Sequence, residues 1–182
     1  FARGVRPNSP AQITSVSLSK PRPVRFQKDI TLAMEQTLLT LKNRQPTAKE
    51  IAFAKAVLSD QPPNPLPRLA EAYAHRTLAL ANGSREEEIV LQALRLGEVG
   101  ITSIPCEVLC EIGLTLKAKS PLPQATFTIE LANGHNGYLP TPRQHALGGY
   151  ETWMGTCTLE ILASEKIKKT LLKMLEKVAD SD

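Results

Sequence analysis

The sequence predicts an α/β or α+β fold, a mixed sheet with helices packed on it. Three observations carry this. Apolar and polar residues alternate at 125–131, the period-two signature of a strand, and 87–96 and 99–104 are β-like, the latter rich in β-branched residues. At 48–59, 106–118 and 165–179 the apolar residues instead recur every three or four positions, as on one face of a helix. The two kinds of segment interleave along the chain, which is the order of a layered α and β domain. A chain of 182 residues that is 42% hydrophobic is long enough to bury a core as one domain.

Taken in order, 1–11 is an irregular lead-in with two prolines, and Ile13 to Leu18 alternates as a strand before Pro21 and Pro23 break it. The segment 1–45 is the less sharply defined part of the domain. At 30–42 the two-residue spacing of Ile30, Leu32 and Met34, followed by Leu39 and Leu41, favours extended structure interrupted near Gln36. A helix competes there, because Leu, Met and Glu also favour helix. Thr47-Ala-Lys-Glu50 has the capping-box form and starts a helix over 48–59. Gln61 to Pro67 is a proline-rich linker. A second helix over 68–81 stops at Asn82-Gly83. Strands 87–96 and 99–104 form a hairpin about Gly97-Glu98. Pro105 is placed to open a helix over 106–118, with apolar positions at 108, 109, 112 and 116. Strand 125–131 turns Phe127, Ile129 and Leu131 to one side, 133–142 is a loop, and 165–179 is an amphipathic final helix.

Composition narrows the function classes. A net charge of +4 is weak for a nucleic-acid binder, and eight aromatic residues are few for base-stacking platforms. No nucleic-acid partner is expected. No apolar run reaches the ~20 residues a spanning helix needs, so no transmembrane segment is expected. The chain begins with Phe1 and shows no signal-peptide pattern after it, which suggests a processed chain or one starting inside a longer protein. Three cysteines, Cys106, Cys110 and Cys157, imply no disulfide framework. Cys106 and Cys110 stand four apart on the predicted helix, a spacing that suits metal ligation, but core packing is the plainer expectation. His75 reads as a surface or boundary histidine. Lys166, Lys168, Lys169, Lys173 and Lys177 read as a solvated helix face.

Two segments hold the candidate chemistry. Asn133 to Pro142 follows a strand, where α/β sheets present ligand-binding groups. It gathers His135, Tyr138, Arg143 and His145 within eleven positions. Ile101 to Glu107 runs from a strand into a predicted helix N-terminus, where the helix dipole favours the Glu107 carboxylate.

These segments resemble the neutral/alkaline non-lysosomal ceramidase family. That family has a strand ending in a Pro-Gly-Glu turn, then an Asn-x-x-x-x-Tyr loop with a following Thr, then Tyr-Glu. The matching residues are Ile104-Pro105-Cys106-Glu107, Asn133 through Tyr138 with Thr141, and Tyr150-Glu151. Cys106 stands where the family has glycine, and Thr-Trp-Met-Gly-Thr follows Glu151 where better-known members have Ala-Ser-Thr. The match is that of a distant, bacterial-type relative.

The resemblance implies a zinc-dependent amide hydrolase acting on ceramide or a related N-acyl lipid, with this chain as the C-terminal part of the catalytic domain. It implies Glu107 and Tyr138 as zinc ligands and Tyr150 as a catalytic group near the reacting carbonyl. His135 and Arg143, in the same loop segment, are the expected substrate-binding residues. The remaining zinc ligands and a serine would come from the N-terminal half of the protein, so the chain alone is expected to be inactive. Secretion or a periplasmic location is implied on the same ground. The competing expectation is a non-catalytic α/β ligand-binding or assembly module on the same scaffold.

Overall fold

A computed structural model describes residues 29–66, 68–122 and 125–181. The strand expected at Ile13 to Leu18 and the lead-in before it lie outside these residues. A four-stranded sheet organises the chain, with strands β1 (Leu32–Lys42), β2 (Glu86–Leu96), β3 (Val99–Ile104) and, at the far edge, β5 (Ala125–Glu130) in that spatial order. β1 and β2 pair antiparallel from Leu32↔Leu96 to Lys42↔Glu86, and β2 and β3 pair antiparallel as the expected hairpin. β3 and β5 pair parallel, so the chain must cross over between them, and helix α3 (Cys110–Lys119) makes that crossing. This is the mixed sheet with packed helices that the sequence predicts.

β1 runs without the interruption expected near Gln36. Gln36 pairs with Gln92 across the strands, and the Gln92 side-chain amide donates to Gln36 Oε1 at 2.7 Å. A polar residue here satisfies a neighbour on the sheet and does not break the strand. Between β1 and β2 the chain makes the helical hairpin α1 (Ala48–Val57) and α2 (Ala70–Asn82). The Thr47–Glu50 capping box is formed in both directions. α2 starts at Ala70, later than expected, because Leu69 takes a left-handed conformation (φ 62°). The hairpin has its own small cluster of Ala54, Val57 and Ala74.

The main core lies on one face of the sheet. The last helix, α5 (Ala163–Ala179), buries Ile167, Leu171, Leu175 and Val178 against Leu41, Ile89, Leu91 and Ile104. α3 adds Ile112 and Leu116. The lysines of α5 pair with carboxylates: Lys166 with Glu160, Lys168, its side chain only 15% exposed, with Glu165, and Lys177 with Glu35.

The expected helix 106–118 begins four residues late. The backbone of 105–107 is bound to the loop after β5: Leu131 N donates to Cys106 O, Asn136 N to Pro105 O, and Glu107 N to Gly137 O. Those bonds hold Glu107–Val108 as a short strand, β4, paired parallel with β6 (Tyr138–Leu139). Leu109 therefore caps α3 and is half-buried. Glu107 is a strand residue, and the helix-dipole argument for it does not apply. Cys106 is buried while Cys110 is exposed, so the two do not share a helix face.

The other face of the sheet is apolar and uncovered by the described residues. Leu32, Met34 and Leu38 of β1, Leu96 of β2, and Phe127 and Ile129 of β5 are exposed there. In β5 it is Thr126 and Thr128 that turn toward the helices. Through the middle of this face runs a polar row in which the Asn133 amide donates to Gln92 and the Ser103 hydroxyl also donates to Gln92.

Candidate active site

The site is built where β3 ends. The chain leaves β3 at Ile104, passes Pro105 and Cys106, and enters β4, while the loop after β5 returns as β6 beside it. In this register Glu107 lies directly opposite Tyr138. Paired residues of neighbouring strands project to the same side of a sheet, so the carboxylate and the phenol meet. Interaction of the Tyr138 hydroxyl with the Glu107 carboxylate first, burial second, and the carboxylate's charge third push the phenol's pKa up to about 12.

The local backbone is specific to this arrangement. Tyr138 N donates to Thr156 O at 3.0 Å, fixing the strand from its other side. That close approach requires Gly137, which has φ 69° and would place a Cβ only 2.4 Å from the Thr156 carbonyl oxygen. Arg44 holds the segment 152–157 in place by donating to the carbonyls of Thr152 (2.7 Å) and Cys157 (3.4 Å).

His135 comes to the same place. Its Nε2 lies 3.6 Å from Glu107 Oε1, and its side chain is 70% exposed at the mouth. Tyr150, in the short 3-10 turn Tyr150–Thr152, sets its ring edge-to-face against Tyr138 with centroids 5.7 Å apart. Tyr73 of α2 sets its ring edge-to-face against Tyr150 with centroids 6.5 Å apart, and interaction with the Tyr150 phenol is the first cause of the upward shift of the Tyr73 phenol. Glu107, His135, Tyr138 and Tyr150, with Asn136 and Arg76, line one cleft of about 560 Å³.

Arg143 is not in this cleft. It lies in the short helix α4 (Pro142–Leu147), highly exposed, with its guanidinium 3.7 Å from Glu111 of α3. It borders a separate depression with Thr141 and Glu165. His145 also turns away, its Nε2 3.9 Å from Cys157 Sγ, and burial together with Arg44 lowers its pKa. Both follow from α4, which begins at the end of the loop expected over 133–142. The signal was present: Thr141-Pro-Arg-Gln144 is a capping box with proline at the first helical position, and both of its bonds form.

Sequence reasoning missed Tyr73 and Arg76. Arg76 lies over the Tyr73 ring, 5.5 Å from its centroid, and reaches the cleft. Nothing local to α2 shows this, because the cleft is made mainly by segments about thirty to eighty residues away. His75, between them, is exposed, as expected.

The chain was compared with known proteins. Neutral ceramidase from Pseudomonas aeruginosa superposes with a TM-score of 0.54 at 14% identity, over 80% of this chain and 28% of that one. The chain shares its fold with part of neutral ceramidase. A structure described as a ceramidase complexed with C2 is also similar, more loosely, with a TM-score of 0.46 at 15% identity over 51% of this chain and 15% of that one. The chain thus spans well under a third of the length of either ceramidase. No family model and no curated protein matches it.

The described residues hold no group of three or more His, Cys, Asp or Glu side chains able to bind a metal ion. Glu107 and Tyr138 offer one carboxylate and one phenol side by side, and His135 stands next to the carboxylate. This donor set suits part of a four-coordinate zinc sphere. Among the described residues no helix is long and apolar enough to cross a membrane.

Proposed function

We propose that this chain is the C-terminal part of the catalytic domain of a zinc-dependent amide hydrolase, acting on ceramide or a related N-acyl lipid. The observation that carries the reading is the β4–β6 pairing, which puts Glu107 beside Tyr138 with Tyr150 packed against it at one cleft. In this reading Glu107 and Tyr138 are two of the zinc ligands, and further ligands come from outside the chain. Zinc held there would lower the pKa of a bound water or polarise the amide carbonyl. Tyr150, packed edge-to-face on Tyr138, would donate its hydroxyl proton in a hydrogen bond to the oxyanion that forms as the amide is attacked. His135 at the mouth binds the polar end of the substrate.

The N-terminal half of the protein is the partner in this reading. The apolar sheet face that the described residues leave open supports it, since such faces are normally buried by a second layer. The same face also supports the second reading, an assembly module without catalysis. A secreted or periplasmic location goes with the ceramidase reading and is tested by fractionating the native protein.

The two readings separate in the complete polypeptide. Glu107→Gln should lower zinc content and fatty-acid release from ceramide together, because an amide oxygen is a poorer ligand for zinc. Tyr138→Phe should reduce activity at least as much as metal content. The 182-residue chain alone should show no turnover. Unchanged zinc and activity in Glu107→Gln, or turnover by the isolated chain, would refute the assignment.

A further inference from the structure

Among the described residues, Arg76 is the one Lys or Arg side chain that lines the Glu107–Tyr138 cleft. It takes no part in holding zinc or meeting the oxyanion. Its position is nevertheless built. The guanidinium lies over the Tyr73 ring, 5.5 Å from the centroid, and an aromatic face attracts such a cation. Its stem crosses Gly155, where an added Cβ would stand 2.5 Å from Arg76 Cβ and 3.4 Å from Arg76 Cδ. Gly155 lines the same cleft, so a residue without a side chain there is what lets Arg76 lie along its wall.

The charge placed in this way has no counter-ion within the chain. No ion pair among the described residues involves Arg76. Beyond the described residues the sequence holds a single acidic side chain, Asp182. The carboxylates of the cleft itself are engaged elsewhere: Glu87 accepts from the Asn136 amide at 3.4 Å, and Glu107 faces Tyr138 and His135. A guanidinium whose flat face rests on an aromatic ring still presents its N–H edge, and that edge matches the two oxygens of a carboxylate. Glu87 opposes any anion in the cleft, so the anion of a ligand has to reach the guanidinium directly.

We propose that Arg76 binds a carboxylate carried by the molecule that occupies the cleft. Together with an amide at Glu107 and Tyr138, this makes the substrate an N-acyl amino acid, whose carboxylate stands one carbon from the amide nitrogen. Naming that substrate rests on the hydrolase reading; the carboxylate site at Arg76 does not.

Two measurements on the complete protein test this. In the first, a titration with butyrate followed by ligand-observed NMR should show saturable binding, and 1-butanol at equal concentration should show none. Arg76→Gln should weaken butyrate binding at least tenfold. Arg76→Lys, which keeps the charge and loses the two-pronged edge, should fall between the two. Equal binding of butyrate by Arg76→Gln, or none by the parent, would overturn the proposal. In the second, N-dodecanoylglycine is compared with N-dodecanoylethanolamine, in which a hydroxymethyl group replaces the carboxylate. The parent should favour the glycine conjugate at least tenfold in kcat/KM, and Arg76→Gln should erase that preference by raising KM for it. A purely structural role would slow both substrates alike and keep the preference, which also overturns the proposal. Hydrolysis of neither compound, with butyrate binding lost in Arg76→Gln, removes the hydrolase reading and leaves the carboxylate site. Hydrolysis of both without preference removes the carboxylate site and leaves the hydrolase reading.

Discussion

Replacing Gly137 by alanine tests the feature that aligns Tyr138 with Glu107. Gly137 has φ 69°, a region in which a side chain costs about 1–3 kcal/mol. Its new Cβ would also stand 2.4 Å from Thr156 O, so the strand must move away from that carbonyl. Moving it endangers two bonds, Tyr138 N to Thr156 O and Glu107 N to Gly137 O, both 3.0 Å. Each is worth about 0.5–1.5 kcal/mol net, which puts the added loss on the order of 2 kcal/mol. Gly148 is the control: its φ is 78°, but an added Cβ meets nothing within 4 Å. Gly148→Ala should therefore show the conformational cost alone. For a chain of this size 1 kcal/mol moves the melting point by roughly 2–4 °C, so Gly137→Ala should melt about 4–8 °C below Gly148→Ala. Thermal unfolding followed by circular dichroism measures both. Equal melting points would show that the close approach of 137 to 156 does not shape the site.

Two further outcomes follow from the same geometry. Glu107→Gln removes the carboxylate that raises the Tyr138 phenol, so an ultraviolet titration should show one tyrosine moving down from about 12 toward the ordinary value of about 10. By linkage, the stability this interaction supplies is present below about pH 10 and lost as pH rises through about 12, so the parent should weaken more than the variant over that window. In the native chain a thiol reagent should label the exposed Cys110, while Cys106, whose pKa burial pushes up to about 12, and the buried Cys157 react only on unfolding; fast labelling of all three would contradict the core.

The strands of the four-stranded sheet, the Thr47 capping box, the Gly97-Glu98 hairpin and the apolar face of the last helix were legible in the sequence. Each is written in the period or chemistry of neighbouring residues, so local physics determines it. The short motif around Pro105-Cys106-Glu107 and Tyr138, through its resemblance, also pointed to residues that do lie together. Tertiary structure decided the rest. Glu107 reads locally as a first-turn helix residue, but hydrogen bonds from a loop some thirty residues later make it a strand residue facing Tyr138. Arg143 and His145 are close to Tyr138 in sequence, yet α4 carries both out of the cleft. Arg76 is distant in sequence and lines it, and Tyr73, equally distant, packs behind Tyr150. Alternation in β5 marked Phe127 and Ile129 as one apolar side, but periodicity says only that two faces differ. Which face meets the helices depends on the crossover through α3 and the seat of α5, and those contacts exist only once the whole sheet has formed.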